Sequence, residues 1–214
     1  IHVLPSGEVE IRAPLRCATA DIQAFVIRQS DWIEKKLAGM QQRAPELSFV
    51  SGEKLHFLGN ELEISLTHHS KRVCVLGDNA LFLYAKVSDT EKERRDLVRR
   101  WLTRQAEKIL AERFRMVASR CHFVSELKPL KLRWMKRRWG SCSSRGEIML
   151  NIDLIRYPLE MVDYVIAHEL CHLVHFNHSP AFYRLLGEIF PDWAAQKRAL
   201  QQWHQRYGHQ LAFS

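Results

Sequence analysis

The sequence predicts an α+β fold: a β-meander-rich N-terminal part, a long connecting helix, and a small C-terminal domain pairing a short sheet with a histidine-bearing helix. Three observations predict it. Alternating segments separated by Gly-Asn and Gly-Asp turns fill residues 54–83. Apolar residues at helical spacing then run from about Thr90 to about Arg120. Beyond them, two short strand-like segments give way to helical patterns again.

Taken in order, Gly7 separates His2-Val3-Leu4 from Val9-Glu10-Ile11-Arg12, whose alternation suits a short hairpin ending at Pro14. Thr19 is placed to cap a helix through Ile22, Phe25, Val26 and Ile27, and Ser30 restarts it through Trp32, Ile33 and Leu37. Lys54–Leu58, a Gly59-Asn60 turn and Glu61–Leu66 form one hairpin. Val73–Leu76, a Gly77-Asp78-Asn79 turn and Ala80–Leu83 form a second, and the four strands read as a meander. The long helix buries Leu97, Trp101, Leu102, Ala106, Ile109, Leu110, Phe114 and Val117. Its other face carries Arg94, Arg95, Arg99, Arg100 and Arg104, a solvated face by the plain reading and a phosphate-contacting one by the alternative. A boundary near Val87-Ser88-Asp89 divides a β-rich region, 1–88, from a domain at 89–214 that includes the long helix.

In that domain, Lys131-Leu132-Arg133-Trp134 alternates like a strand, Gly140 to Gly146 reads as a small-residue loop, and Ile148–Ile152 as a second strand. Pro158 opens a helix through Met161, Val162, Val165 and Ile166. Ser179-Pro180 supplies the N-cap and first residue of the next, through Phe182, Leu185, Leu186 and Ile189. Pro191 ends it, and Ala195 to about Tyr207 forms a terminal helix.

Composition narrows the function classes. With 214 residues and 46% hydrophobic side chains the chain can bury a sizeable core. No apolar run approaches the ~18–20 residues of a membrane-spanning helix, so a soluble chain without a membrane partner is expected. Ile1-His2-Val3-Leu4-Pro5 lacks the pattern of a secretory signal. Five cysteines without a CxxC pair argue against a disulfide framework and for a reducing, cytoplasmic setting. The net charge of +8 favours solubility by the plain reading and an anionic partner, nucleic acid or nucleotide, by the sharper one.

The strong chemical signal is His168-Glu169-Leu170-Cys171-His172. Residues four apart lie on one helix face, so two imidazoles can bind one metal ion, while Glu169 points about 100° away, where a general base can reach a water at that metal. A chance match to this pattern is expected on the order of a few per cent of the time. Val165, Ile166, Leu170 and Leu173 make the helix mostly core, and polar groups there need a compensating partner. An open zinc site wants a third ligand. His175 lies about 10 Å along the helix axis from His168 and cannot share its ion while the helix stays intact. His178, past Phe176-Asn177 and just before Ser179-Pro180, can swing back and is preferred; Glu188 on the next helix is the fallback.

These residues carry a resemblance. Arg138-Trp139-Gly140-Ser141-Cys142, then Asn151, then Asp163–Leu173, then Asn177-His178-Ser179 and Phe182 together resemble the YgjP-like metallopeptidase family, related to the SprT and WLM zinc-peptidase groups. The resemblance is tight over the last ~90 residues and loose before them. It implies a small gluzincin-like zincin with a β-rich N-terminal extension, one Zn²⁺ held by His168, His172 and His178, Glu169 as base, and a protein or peptide substrate. Cys171 departs from the small residue, such as Ala, expected there, and reads as a buried small hydrophobe.

Arg133, Lys136, Arg137, Arg138 and Arg145 surround the Gly/Ser-rich turn. With Ser141 and Asn151, the arginines Arg133, Arg137 and Arg138 are candidates for binding a phosphate or a developing oxyanion; the plain alternative is a tight loop with solvated arginines. Met149–Ile152 is the candidate edge for an extended substrate. Three functions compete: a zinc-dependent metallopeptidase, a metal-dependent phosphohydrolase releasing pyrophosphate from a nucleoside triphosphate, and a nucleic-acid-associated protease or binding module. A peptide carbonyl needs one oxyanion donor besides the metal, whereas phosphates use several cations. Two or more of the loop arginines in the metal cleft would therefore favour the phosphohydrolase. No helix-turn-helix, zinc-finger or RNA-binding signature supports sequence readout.

Overall fold

The computed structural model describes residues 1–4, 7–41 and 43–211, and contacts divide the chain into two units. The first comprises Ile1–Glu46 with Gln202–Gln210. Strand β1 (His2–Val3) pairs antiparallel with β2 (Val9–Glu10), followed by helices α1 (Thr19–Arg28) and α2 (Ser30–Gln41). Thr19 is the first helical residue rather than the cap; the cap position is Ala18, whose side chain has nothing to donate or accept. Phe25 and Ile27 of α1 remain exposed.

The second unit has Leu47–Gln201 as its body. Strands β3 (Lys54–Phe57), β4 (Asn60–His68), β5 (Val73–Leu76) and β6 (Ala80–Ala85) form one sheet in the order β3-β4-β6-β5. The two hairpins are present, but the meander is not: β6, rather than β5, lies beside β4, and it runs parallel to it. Burial accounts for the exchange. β6 carries Leu81, Leu83 and Ala85 into the core, whereas β5 buries only Cys74 and leaves Val73, Val75 and Leu76 exposed. The more apolar strand takes the interior position.

The first hairpin turns at Leu58-Gly59, both with positive φ, one residue earlier than Gly59-Asn60. These two turn amides donate to the carbonyls of Ile155 (2.9 Å) and Arg156 (3.2 Å). A Cβ on Gly59 would lie 2.9 Å from Pro158, so the hairpin tip sits directly on the segment that leads into the histidine helix.

Helix α3 (Glu91–Ala118) starts at a reciprocal capping box between Thr90 and Glu93. Arg72 grips Asp89 just upstream with a two-pronged contact. Leu97, Val98, Trp101, Leu102, Ala106, Leu110, Phe114 and Val117 form its buried face. The arginines opposite are partly spent within the protein: Arg94 donates to the carbonyls of Asp89 and Ser48, and Arg95 pairs with Glu91.

Strands β7 (Lys131–Arg133), β8 (Gly140–Cys142) and β9 (Ile148–Asn151) form a second sheet in the order β7-β9-β8, with β7 parallel to β9. The expected small-residue loop is therefore shorter. Gly140–Cys142 is a strand, closed onto β9 by a turn at Ser143–Gly146 in which Gly146 has φ 74°. β9 is consequently central and cannot be the free edge for a substrate; β7 and β8 are the edge strands, and Gly140 of β8 is the one that meets Glu169. A 3₁₀ turn (Ile152–Arg156) leads to α4 (Leu159–Cys171), then α5 (Pro180–Ile189) and α6 (Trp193–Tyr207). Asp163 of α4 pairs with Arg113 of α3, fastening the histidine helix to the long one. The fold is mixed α+β, with six α-helices and three small sheets among the described residues. None of these helices is long and apolar enough to cross a membrane.

Candidate metal centre

His168 and Glu169 lie in the last turn of α4, and His172 is its C-cap with helical angles (φ −67°, ψ −13°), so the i, i+4 relation survives the helix end. The chain then turns through residues 172–174, and His178 returns from the segment before α5. The three imidazole centroids are each 4.9 Å from the other two. One nitrogen from each ring can be chosen so that all three lie within 4.8 Å of one another, and Nε2 of His178 is 3.0 Å from Nε2 of His168. Tetrahedral ligands bound at about 2.0–2.1 Å lie about 3.4 Å apart, so the donor set fits a single ion.

The surroundings orient the triad. Nδ1–H of His172 donates to the backbone carbonyl of His175 at 2.9 Å, leaving Nε2 with its lone pair free. His175 thus contributes its carbonyl, and its own ring is outside the cluster, as is Glu188. Phe182, fully buried, packs against all three histidines with centroid separations of 4.9, 4.8 and 4.8 Å. Its position is set by Ser179, whose Oγ accepts the Phe182 amide at 3.4 Å and begins α5 immediately after His178. Burial and the neighbouring imidazoles push His168 down to about 3, and burial also lowers His178. The two neutral rings meet through their Nε2 atoms at hydrogen-bond distance, 3.0 Å, and a cation that takes both nitrogens as ligands would replace that contact. Nδ1 of His168 is buried without a hydrogen-bond partner among the described residues.

Glu169 is 6% exposed. Burial pushes its carboxyl up to about 8, opposed by the positive charge of Arg138. It lies against the backbone of β8, and a Cβ on Gly140 would be 2.7 Å from its Cγ and Oε1. His168, Glu169 and His178 line one cleft of about 410 Å³, together with Arg137, Arg138, Lys197, Tyr164 and Tyr183.

Residues 1–203 match the YgjP-like metallopeptidase domain. The chain belongs to the YgjP-like metallopeptidase family. The match begins at residue 1, so the N-terminal third of this YgjP-like chain lies within the family domain, beyond the tight resemblance of its last third. Among solved structures, the metallopeptidase zymogen of Pyrococcus abyssi abylysin is similar at 22% identity, covering 46% of this chain and 97% of its own, with a TM-score of 0.40. No curated protein matches.

The basic-loop residues of this YgjP-like domain divide. Arg137 and Arg138 reach the cleft; Arg133, exposed on β7, and Ser141, paired with Met149 in β8, are not among the residues lining it. Asn151 is buried and spends its amide on backbone: Nδ2 donates to the carbonyls of Met135 (2.8 Å) and Arg138 (2.9 Å), and Oδ1 accepts from the amides of Met135 and Asp153 (both 3.1 Å). Lys197, Tyr164 and Tyr183 also line the cleft, and the sequence marks two of them only by helical spacing: Tyr164 lies one turn before His168, and Lys197 one turn after Trp193.

Proposed function

We propose that this domain is a zinc-dependent metallopeptidase in which His168, His172 and His178 hold one Zn²⁺ and Glu169 is the general base. The observation that carries the reading is the equilateral triad beside a buried carboxylate, with the free nitrogen of His172 fixed by the His175 carbonyl. The nitrogen-only donor set suits zinc, which His168, His172 and His178 would hold. Zinc bound there supplies Lewis acidity, polarising the scissile carbonyl and making water acidic enough to attack at neutral pH. Glu169 takes the proton from the attacking water and returns it to the leaving amine. Its burial raises its proton affinity, opposed by the charge of Arg138, and suits it to hold a proton between the two steps. Edge strand β8 is paired only with β9, so its other side can receive an extended peptide. The test is zinc stoichiometry by elemental analysis together with hydrolysis of unfolded protein substrates. Wild type should bind one zinc and cleave; Glu169→Gln should bind zinc and not cleave.

One observation favours a second reading, a metal-dependent nucleotide phosphohydrolase. Arg137 and Arg138 both line the cleft, joined by Lys197, which is more cationic charge than a peptide oxyanion requires. Two guanidinium groups in the cleft weigh toward phosphate chemistry, while the metallopeptidase family of the chain keeps the peptidase reading first. Nucleoside triphosphates assayed in parallel decide between the two: turnover lost in Arg138→Ala favours the phosphohydrolase, and none above the Glu169→Gln background removes it.

A further inference from the structure

The fold pairs its structural arginines carefully. Arg72 is bound to Asp89, Arg113 to Asp163 and Arg156 to Asp153. Arg137, Arg138 and Lys197 are different: among the described residues none of them makes an ion pair or a side-chain hydrogen bond, yet all three line the cleft that holds His168 and Glu169. The cleft's one carboxylate is Glu169, buried on its wall. Arg137 and Arg138 are exposed and Lys197 is half-buried, so the cleft presents two guanidinium groups and an ammonium to an incoming ligand, with the buried Glu169 as the one opposing charge among its lining residues.

The backbone that carries the arginines is anchored, and the lysine lies against an aromatic ring. Asn151 ties down the arginine segment through the carbonyls of Met135 and Arg138, and its own amide donates to the Trp139 carbonyl at 2.8 Å. Opposite in sequence, the ammonium of Lys197 sits 5.9 Å from the Tyr183 ring, which is itself stacked on Trp193 at 4.5 Å and 26°. A guanidinium fork can bind an oxyanion through two parallel hydrogen bonds, and a lysine adds a point charge. Anchored backbone lowers the cost of bringing such donors onto a ligand.

We infer that Arg137, Arg138 and Lys197 form a subsite for one oxyanion group of the substrate, a carboxylate or a phosphate, in the cleft that holds the histidine triad. The inference rests on the hydrolase reading for treating this cleft as the substrate's, and not for the binding of the anion itself. It makes the substrate a molecule carrying an anionic group near the bond to be broken: a peptide with a free terminal or side-chain carboxylate, or a phosphate compound.

Calorimetry on the full chain tests this, using zinc-loaded protein and protein stripped with the neutral chelator 1,10-phenanthroline. The probes are inorganic phosphate and a pair of short peptides that differ only in a free or amidated C-terminal carboxylate. At least one anion should bind in both metal states, more weakly as salt rises. Arg138→Ala and Lys197→Ala should each weaken binding by about tenfold or more, and Arg138→Lys by less. Preference for phosphate or for the free carboxylate names the source of the group. Failure of every anion to bind overturns the subsite. So does binding that disappears with the metal, or wild-type affinity in the Arg137→Ala/Arg138→Ala/Lys197→Ala variant. Metal content is read separately: a chain that binds phosphate but no zinc sinks the hydrolase reading and supports the subsite.

Discussion

Glu169 packs so closely on Gly140 that a single added methyl group would stand 2.7 Å from its carboxylate oxygen. This glycine is required by approach rather than by backbone conformation, because Gly140 is not among the residues with positive φ. Edge strand β8 lays bare backbone over the last turn of α4, and the carboxylate occupies the space a side chain would fill. The close contact between strand and helix therefore fixes where the proposed base can point.

Gly140→Ala should accordingly displace Glu169 while leaving the triad intact. Over-packing costs about 1–3 kcal/mol of stability. Hydrolysis should fall by roughly a hundredfold or more, the scale of a misplaced general base. Zinc content should stay at the wild-type level, as in Glu169→Gln. A fully active Gly140→Ala enzyme removes the link between this contact and catalysis.

The contrast between His172 and His175 gives a second outcome. His172 offers a ring nitrogen to the cluster, whereas His175 offers a backbone carbonyl to His172. His172→Ala should lose bound zinc and His175→Ala should keep it, since alanine retains the carbonyl. Zinc lost from His175→Ala but retained in His178→Ala would invert the ligand assignment.

Local rules made much of this legible. The Thr90–Glu93 box and the apolar spacing of α3 are decided within a few residues, and so is the meeting of His168 and His172 across one helical turn. The order of the strands is not local: the two hairpins are written in their turns, but which strand lies beside β4 depends on how much each can bury against α3 and the core. The glycine and serines of Gly140–Ser143 look like a loop because small residues are poor strand formers, yet Gly140 is small in order to sit on Glu169. Asn151 looks like a binding residue from its polarity, and only the fold reveals that all its bonds close on backbone.

Asn151→Ala should therefore act on stability first. It strands the buried amide of Asp153 and the half-buried amide of Met135, and frees the carbonyls of Met135 and Arg138. We expect a loss of roughly 2–3 kcal/mol, read from the denaturant midpoint. Weaker anion binding should accompany it, because the arginine segment loses its anchor. A variant as stable as wild type would show that the clamp contributes nothing.

Stability should also depend on pH through Asp89. The Arg72 guanidinium, hydrogen-bonded to it, holds the Asp89 carboxyl below the usual carboxylate range. An aspartate in the unfolded chain titrates near 3.9. A depressed folded value stabilises the native state above about pH 4 and ceases to do so as pH falls through it. Glu93, also lowered, acts with the same sign. Arg72→Met should lower the melting temperature at pH 7, and the gap to wild type should close at acid pH. A gap that stays constant from pH 7 to pH 2 would assign the role of Arg72 to packing.

Phe182 supplies the last test, because it touches all three members of the triad without being able to bind metal. Its ring and the three imidazoles have centroids at nearly equal separations, so each histidine is held against one shared apolar surface. Alanine there would cost about 3–5 kcal/mol and confuse unfolding with loss of the site. Leucine keeps most of the volume, at a cost of about 1.5 kcal/mol or less, but removes the flat face that limits ring rotation. Hydrogen-bonded groups that orient metal ligands are worth about 10- to 100-fold in metal affinity, and a ring that limits rotation of all three imidazoles should act at the low end of that range. Competition against a chelating dye should therefore show zinc binding about tenfold weaker in Phe182→Leu, with the fold intact by circular dichroism. Unchanged affinity would mean that the His172–His175 hydrogen bond and the helix geometry orient the triad by themselves.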